Sequence, residues 1–259
     1  MPDDERRRGV TDDAVLGGRL RLLQPKRGHR FGHDGVLLAA ATAARAGDHV
    51  VDLGAGVGVA GLALASRVPG LTVMLVESDP ALTELAAENG RRNQLEQHVR
   101  AVTLDAIAPA RAFAAVGLRS GTVQQVMMNP PFNDPAKHNL SPDVARARAH
   151  AGGREILNAW CRTASRLLAP KGMVTLVWRA DGLADLPPAL GSSFGGIKIF
   201  PIYPRAETPA IRILVAAMKG SRTPLSLLPG LILNDAEGRP TPEAEAVLRS
   251  GVPLLLAKP

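Results

Sequence analysis

Apolar positions in the middle of the chain gather into short unbroken runs, and between the runs they recur every three to four residues. His49-Val-Val-Asp-Leu53, Leu71-Thr-Val-Met-Leu-Val-Glu77, Val99-Arg-Ala-Val-Thr-Leu-Asp105 and Val123-Gln-Gln-Val-Met-Met128 are the runs. Short, β-branched-rich and bounded by turn residues, they read as strands buried on both faces. Gly58 to Arg67 and Pro80 to Asn93 carry the helical spacing. Alternation of this kind predicts an α/β fold, a mostly parallel sheet with helices on both faces. Further on, a helix from about Arg154 to Leu168 leads through Pro170-Lys-Gly172 to a strand at Met173–Trp178. Ile197–Ile202 and Ala210–Met218 have strand character with no long helix between them, which predicts an antiparallel pair at the edge of a seven-stranded sheet.

Upstream, Val10 to Leu23 alternates around Gly17-Gly18 and reads as a short hairpin. Asp34 precedes Gly35–Ala44, a helix with an acidic cap that Gly47-Asp48 ends. Residues 133–153 are polar and read as a long loop, a length that in a compact domain points to function or disorder. The organisation expected is a mobile tail (1–11), an N-terminal cap segment (12–45), a main domain (46–218) and a Pro/Gly-rich extension (219–259). That extension offers either an RNA surface (Lys219, Arg222) or a dimer contact.

Composition narrows the partners. The chain has 259 residues, and 31 Lys and Arg against 24 Asp and Glu give a formal charge of +7. A basic globular protein meets polyanions, RNA or DNA first. The single cysteine, Cys161, excludes an intramolecular disulfide or a cysteine zinc site, suits a reducing cytoplasm and sits in a helical pattern as a packed thiol. No metal site is expected. No run reaches the ~18–20 apolar residues of a membrane span, and the charged start, Met1-Pro-Asp-Asp-Glu-Arg-Arg-Arg8, lacks a secretory apolar core.

Chemistry concentrates at the ends of the strands. Asp52-Leu-Gly54-Ala55-Gly56-Val-Gly58 is a strand end, a glycine turn and a helix start, where the backbone can approach a ligand closely. Gly56-Val-Gly58-Val-Ala-Gly61 matches the dinucleotide fingerprint, but the turn already begins at Gly54 and Asp52 would repel a pyrophosphate. An acid there suits a zwitterionic methionine moiety, whose ammonium Asp52 meets directly or through water. Glu77 can accept both ribose hydroxyls and Asp105 an adenine amine, each at a strand's carboxyl end, where open α/β sheets bind ligands. The cofactor implied is S-adenosylmethionine, in a class I methyltransferase with a Rossmann-like sheet.

Asn129-Pro130-Pro131-Phe132 ends the fourth run. Two prolines stiffen the turn. It can present an amide oxygen (Asn129), a carbonyl (Pro130) and a stacking ring (Phe132), a trio suited to an amino group on a flat conjugated system. Lys137, Arg146, Arg148 and Arg154 follow and are candidate contacts to a substrate phosphate backbone.

The glycine loop followed by Asn-Pro-Pro-Phe resembles the amino-methyltransferases of adenine N6, guanine N2 or glutamine N5. Gln24-Pro-Lys-Arg-Gly28-His-Arg30-Phe31-Gly-His-Asp34-Gly-Val-Leu-Leu-Ala39 is similar to the N-terminal signature of bacterial valine-tRNA adenine-N6 methyltransferases. Leu16-Gly-Gly-Arg-Leu20, Leu62–Gly70 and Arg146-Ala-Arg-Ala-His150 also look like that family. The resemblance implies methylation of a purine beside the anticodon, with Phe31 and Asp34 closing over the cofactor. Phe132 departs from the tyrosine of many adenine enzymes and matches several guanine-N2 enzymes.

Overall fold

The computed structural model describes residues 9–27, 32–131 and 142–257, the side chains of 142–151 excepted. Phe31, Phe132 and Lys137 lie outside the described residues, as do the side chains of Arg146 and Arg148.

Two strands, β1 (Val10–Val15) and β2 (Leu20–Pro25), form the expected antiparallel hairpin. The main sheet starts with β3 (His49–Leu53), β4 (Thr72–Glu77), β5 (Val99–Thr103), β6 (Val123–Met128) and β7 (Leu168–Arg179). These five are parallel, in the order β7-β6-β3-β4-β5. Next come β8 (Phe194–Arg205) and β9 (Arg212–Lys219), the antiparallel pair expected. Strand β9, however, lies inside the sheet, antiparallel to β7 on one side and β8 on the other. Two short strands of the extension, β10 (Ser226–Leu227) and β11 (Leu231–Asn234), pair parallel with β8. The sheet thus has nine strands where seven were expected.

Residue parity divides the core between the two faces. Val50, Val73 and Leu75 pack on one face, whereas Val51, Leu53 and Val76 pack on the other. The first face is covered by α1 (His33–Ala41), α2 (Val59–Arg67) and the hairpin. The second is covered by α5 (Pro142–Leu167) with the shorter α4 (Ala110–Ala115) and α6 (Leu186–Leu190). Helix α3 (Pro80–Arg92) begins on a capping bond, Ala81 N–H to Asp79 Oδ1 at 2.8 Å, with Pro80 in its first turn. A last helix, α7 (Pro242–Leu248), belongs to the extension.

Two boundaries differ from the sequence reading. Helix α1 is capped by Gly32 rather than Asp34, and it ends at Ala41, short of the alanine-rich run. The cause is tertiary. Arg67, on α2, donates to the carbonyls of Ala39 (2.8 Å) and Thr42 (2.7 Å), so the orphan carbonyls of the helix end are satisfied from a neighbouring element. The stretch 133–153, read as loop, is helical from Pro142 onward, because α5 begins twelve residues before Arg154.

Candidate active site

Strand register brings the site residues into one row. Leu53, the last residue of β3, pairs with Val76 on one side and Met128 on the other, while Glu77 pairs with Thr103. Gly54, Glu77, Asp105 and Asn129 therefore leave the sheet at the same edge. The chain reverses its direction of strand addition between β3 and β6, the switch point at which open α/β sheets hold ligands.

Two buried carboxylates hold the glycine loop. Asp52 is 2% exposed, and its Oδ2 accepts the Gly61 N–H at 2.9 Å. Burial pushes its carboxyl up to about 7, the charge of Glu77 adds to that, and the Gly61 bond opposes it. Glu77 accepts the Gly56 N–H through Oε2 (2.8 Å) and the Asp79 N–H through Oε1 (2.9 Å). Both acids thus spend oxygens on the backbone, as braces of the loop. A Cβ on Gly56 would meet nothing within 4 Å, so the loop's outer side is open space. Gly54, by contrast, adopts φ +70°, and a Cβ there would overlap the ring of Trp160. Trp160 comes from α5, the helix that follows the Asn-Pro-Pro turn.

Asp105 is exposed, and its Oδ1 accepts the Ile107 N–H at 2.9 Å. Ile107, 58% exposed, stands beside it. Asn129 is half-buried, and its Oδ1 is buried with no hydrogen-bond partner among the described residues. An amide oxygen withheld from water and left unbonded costs about 1–3 kcal/mol, so it is an acceptor kept for a ligand.

Other expected residues are tied to neighbours. Asp34 receives Arg212 Nε at 3.0 Å, joining the first turn of α1 to β9. Arg154 bonds through Nε to Asp185 (3.0 Å), which also receives Arg179 Nη2 at 3.2 Å. Cys161 is 1% exposed and burial pushes its thiol up to about 12, so it is a packed apolar group.

The sequence reading missed Trp160, Asp185 and Asn89. Asn89, fully buried on α3, receives the Leu23 N–H (2.7 Å) and donates to the Leu23 carbonyl (3.0 Å) and the Val57 carbonyl (3.0 Å). One turn on, Asn93 repeats the pattern with Arg21 N–H (3.0 Å) and Arg21 carbonyl (2.9 Å). Two amides four residues apart thus read alternate residues of β2 and staple the hairpin to the glycine loop. The Asn-x-x-x-Asn spacing was the available signal.

The sequence profile of the family described as Methyltransferase small domain matches residues 33–201. The chain belongs to that family. A tRNA1(Val) (adenine(37)-N6)-methyltransferase of Porphyromonas gingivalis is 32% identical over 162 residues, 61% of this chain and 61% of that protein. The match therefore spans less than two thirds of that relative's length. A protein of the same name from Dickeya chrysanthemi is 27% identical over 226 residues, covering 85% of this chain and 86% of the relative. A release factor glutamine methyltransferase of Chlorobaculum tepidum is 27% identical over 164 residues, 61% of this chain and 54% of its own length. Among solved structures, a "predicted O-methyltransferase" from Agrobacterium tumefaciens superposes with a TM-score of 0.71 at 29% identity, over 85% of this chain and 97% of that one.

This methyltransferase is accordingly a class I enzyme that takes S-adenosylmethionine as cofactor. The residues present fit that group: an open glycine cradle, acids at the ends of β3 and β4, and an exposed acid after β5. Among the described residues there is no helix long and apolar enough to cross a membrane and no cluster that could hold a metal ion.

Proposed function

We propose that this enzyme methylates the exocyclic N6 of an adenine in tRNA, at a purine of the anticodon loop, in the cytoplasm. The observation that carries the reading is the buried, unpartnered Oδ1 of Asn129 at the end of β6. It fits an amino group, and the names of the Porphyromonas and Dickeya relatives support adenine in tRNA as its bearer.

The cofactor supplies an electrophilic methyl group on a sulfonium. The protein's part is to orient the acceptor. Asn129 Oδ1 and the Pro130 carbonyl accept the two N–H groups, which draws the nitrogen toward pyramidal geometry and localises a lone pair otherwise delocalised into the ring. Pro131 keeps the turn stiff and Phe132 stacks on the base. The gain comes from alignment and fixed dipoles. No general base is assigned, because the alkylated nitrogen loses its proton readily. Phe31, Asp34, Asp52, Gly54, Ala55, Gly56, Gly58, Glu77 and Asp105 are proposed to frame the cofactor, and Lys137, Arg146, Arg148 and Arg154 to meet phosphates. An unpaired loop purine leaves its stack at lower cost than one in a duplex.

Labelled cofactor incubated with total tRNA, ribosomal RNA and protein, followed by nucleoside analysis, tests the reading. Label in N6-methyladenosine from tRNA is expected. Label in N2-methylguanosine alone, or in protein glutamine alone, would overturn it. Asn129→Ala should keep the cofactor-induced rise in melting temperature while kcat falls about 10²-fold or more, the scale of losing one preorganised polar contact.

A further inference from the structure

We propose that the opposite, amino edge of the sheet, under β6, β7, β9 and β8, is a second surface for the phosphate backbone of the RNA substrate. The proposal rests on the RNA reading above. It starts from a contrast between the two edges. At the carboxyl edge the arginines are neutralised: Arg154 and Arg179 pair with Asp185, Arg212 with Asp34, and Arg239 with Asp235 and Glu237. At the amino edge no described cation has an acidic partner.

The backbone brings those cations together. Gly121 N–H donates to the Arg166 carbonyl at 3.0 Å, which sets the turn carrying Arg119 against the end of α5. Lys171 projects from the turn that opens β7, with φ +64°. Lys219, the last residue of β9, donates from Nζ to the Leu168 carbonyl at 2.7 Å and so stands beside that turn. Gly220 N–H donates to the Ser193 carbonyl at 2.9 Å, placing Arg222 at the start of β8, near Lys198. Arg119, Lys171 and Arg222 are exposed, and the exposed hydroxyls of Ser120, Thr122 and Thr223 lie between them.

The sequence explains why nothing neutralises them. Residues 106–133, 156–180, 186–206 and 208–234 contain no Asp or Glu. These segments build β6, β7, β8 and β9 with the turns beneath them. Acids on this edge resume only at Asp48, ahead of β3 on the far side of β6, with Arg45 three residues away. A single-sign surface of this extent is a polyanion footprint, and unpaired cations give up no internal ion pair when they meet phosphate.

Strand length sets the geometry. At about 3.3 Å per residue, the patch lies on the order of 25 Å from the Asn129 edge. An isolated anticodon loop cannot touch both edges, whereas a folded tRNA can pass its stem or body along the side of the sheet. The surface would therefore select whole tRNA over the isolated stem-loop.

The test is the triple variant Arg119→Glu, Lys171→Glu, Arg222→Glu. It omits Arg166 and Lys219, whose side chains hold the fold. Binding of unmodified valine tRNA and of its anticodon stem-loop is measured as a function of salt, beside methylation of each. With folding verified by an unchanged cofactor-induced melting shift, tRNA affinity should fall at least tenfold. The slope of log K against log salt should shrink by about two, since each lost phosphate contact removes somewhat less than one. Stem-loop binding and kcat should stay as in the wild type. Unchanged tRNA affinity and slope would overturn the second surface and leave the RNA reading standing. Equal loss on both RNAs would also overturn it, because it puts the lost contacts at the carboxyl edge. A wild-type protein that binds neither RNA would overturn the RNA reading itself.

Discussion

Asp52 carries a cost that depends on pH. Its carboxyl is pushed up to about 7 in the folded protein, against 3.8 for the free group. Between those values the native state holds a proton that the unfolded chain has released. The contribution is thus fully present below about pH 4, declines as pH rises, and is lost through pH 7. Three pKa units correspond to about 4 kcal/mol in total. Asp52→Asn keeps an oxygen for the Gly61 N–H and removes the titration. From pH 5 to 8 the wild-type melting temperature should therefore fall relative to that of the variant, and parallel curves would show that Asp52 does not titrate there. Gly54 is constrained twice, by its left-handed φ and by the Trp160 ring over its Cα. Gly54→Ala should cost about 2–4 kcal/mol from backbone strain and overpacking together. Adding Trp160→Ala should recover the overpacking part alone, so a double-mutant cycle by chemical denaturation should show non-additivity of about 1 kcal/mol or more.

At the scale of elements, the hairpin and the glycine loop share one fastener. Asn89→Ala would strand the Leu23 N–H, the Leu23 carbonyl and the Val57 carbonyl. Leaving buried backbone groups unpaired costs about 1–3 kcal/mol each. The variant should lose at least 2 kcal/mol of stability, and faster amide exchange at Leu23 should accompany weaker cofactor binding. Exchange restricted to α3 would argue that the hairpin is held by its apolar face alone. This fastener also shows where the sequence was readable. Strands β3 and β6 were legible to the residue, because a strand buried on both faces must be a continuous apolar run. The acids at the strand ends were legible as chemistry, but not the oxygens that Asp52 and Glu77 spend on Gly61 and Gly56. Those bonds join residues nine and twenty-one positions apart. The end of α1 was illegible for the same reason, since its cap is Arg67. Trp160 read as an interior helix residue, and only the packing of α5 on β3 puts its ring over Gly54.

Across the whole molecule, the extension is part of the core rather than a trailing lobe. Leu231, Val247, Leu254 and Leu256 are buried in the same cluster as α1 and α2. Leu254 N–H donates to the Ala40 carbonyl at 2.9 Å, and Arg19 Nη2 donates to the Ser250 carbonyl at 2.8 Å, so the last residues tie α1 and the hairpin together. Helix α1 in turn packs Gly35 against Val59, the first residue of α2 after the glycine loop. Four large apolar side chains at about 1.5–3 kcal/mol each amount to roughly the 5–15 kcal/mol by which a whole domain is stable. A chain truncated after Lys219 should accordingly melt more than 10 °C lower or fail to fold, although the strand ends that bear Asp52, Glu77, Asp105 and Asn129 remain in it. Its cofactor affinity should fall even where it folds, because α1 loses its support beside the loop. If instead the truncated chain melts like the full one and shows the same cofactor-induced shift, the burial of Leu254 and Leu256 follows from the fold without sustaining it. The amino-edge surface would then be separable from the extension as well, since Arg119 and Lys171 would remain in place.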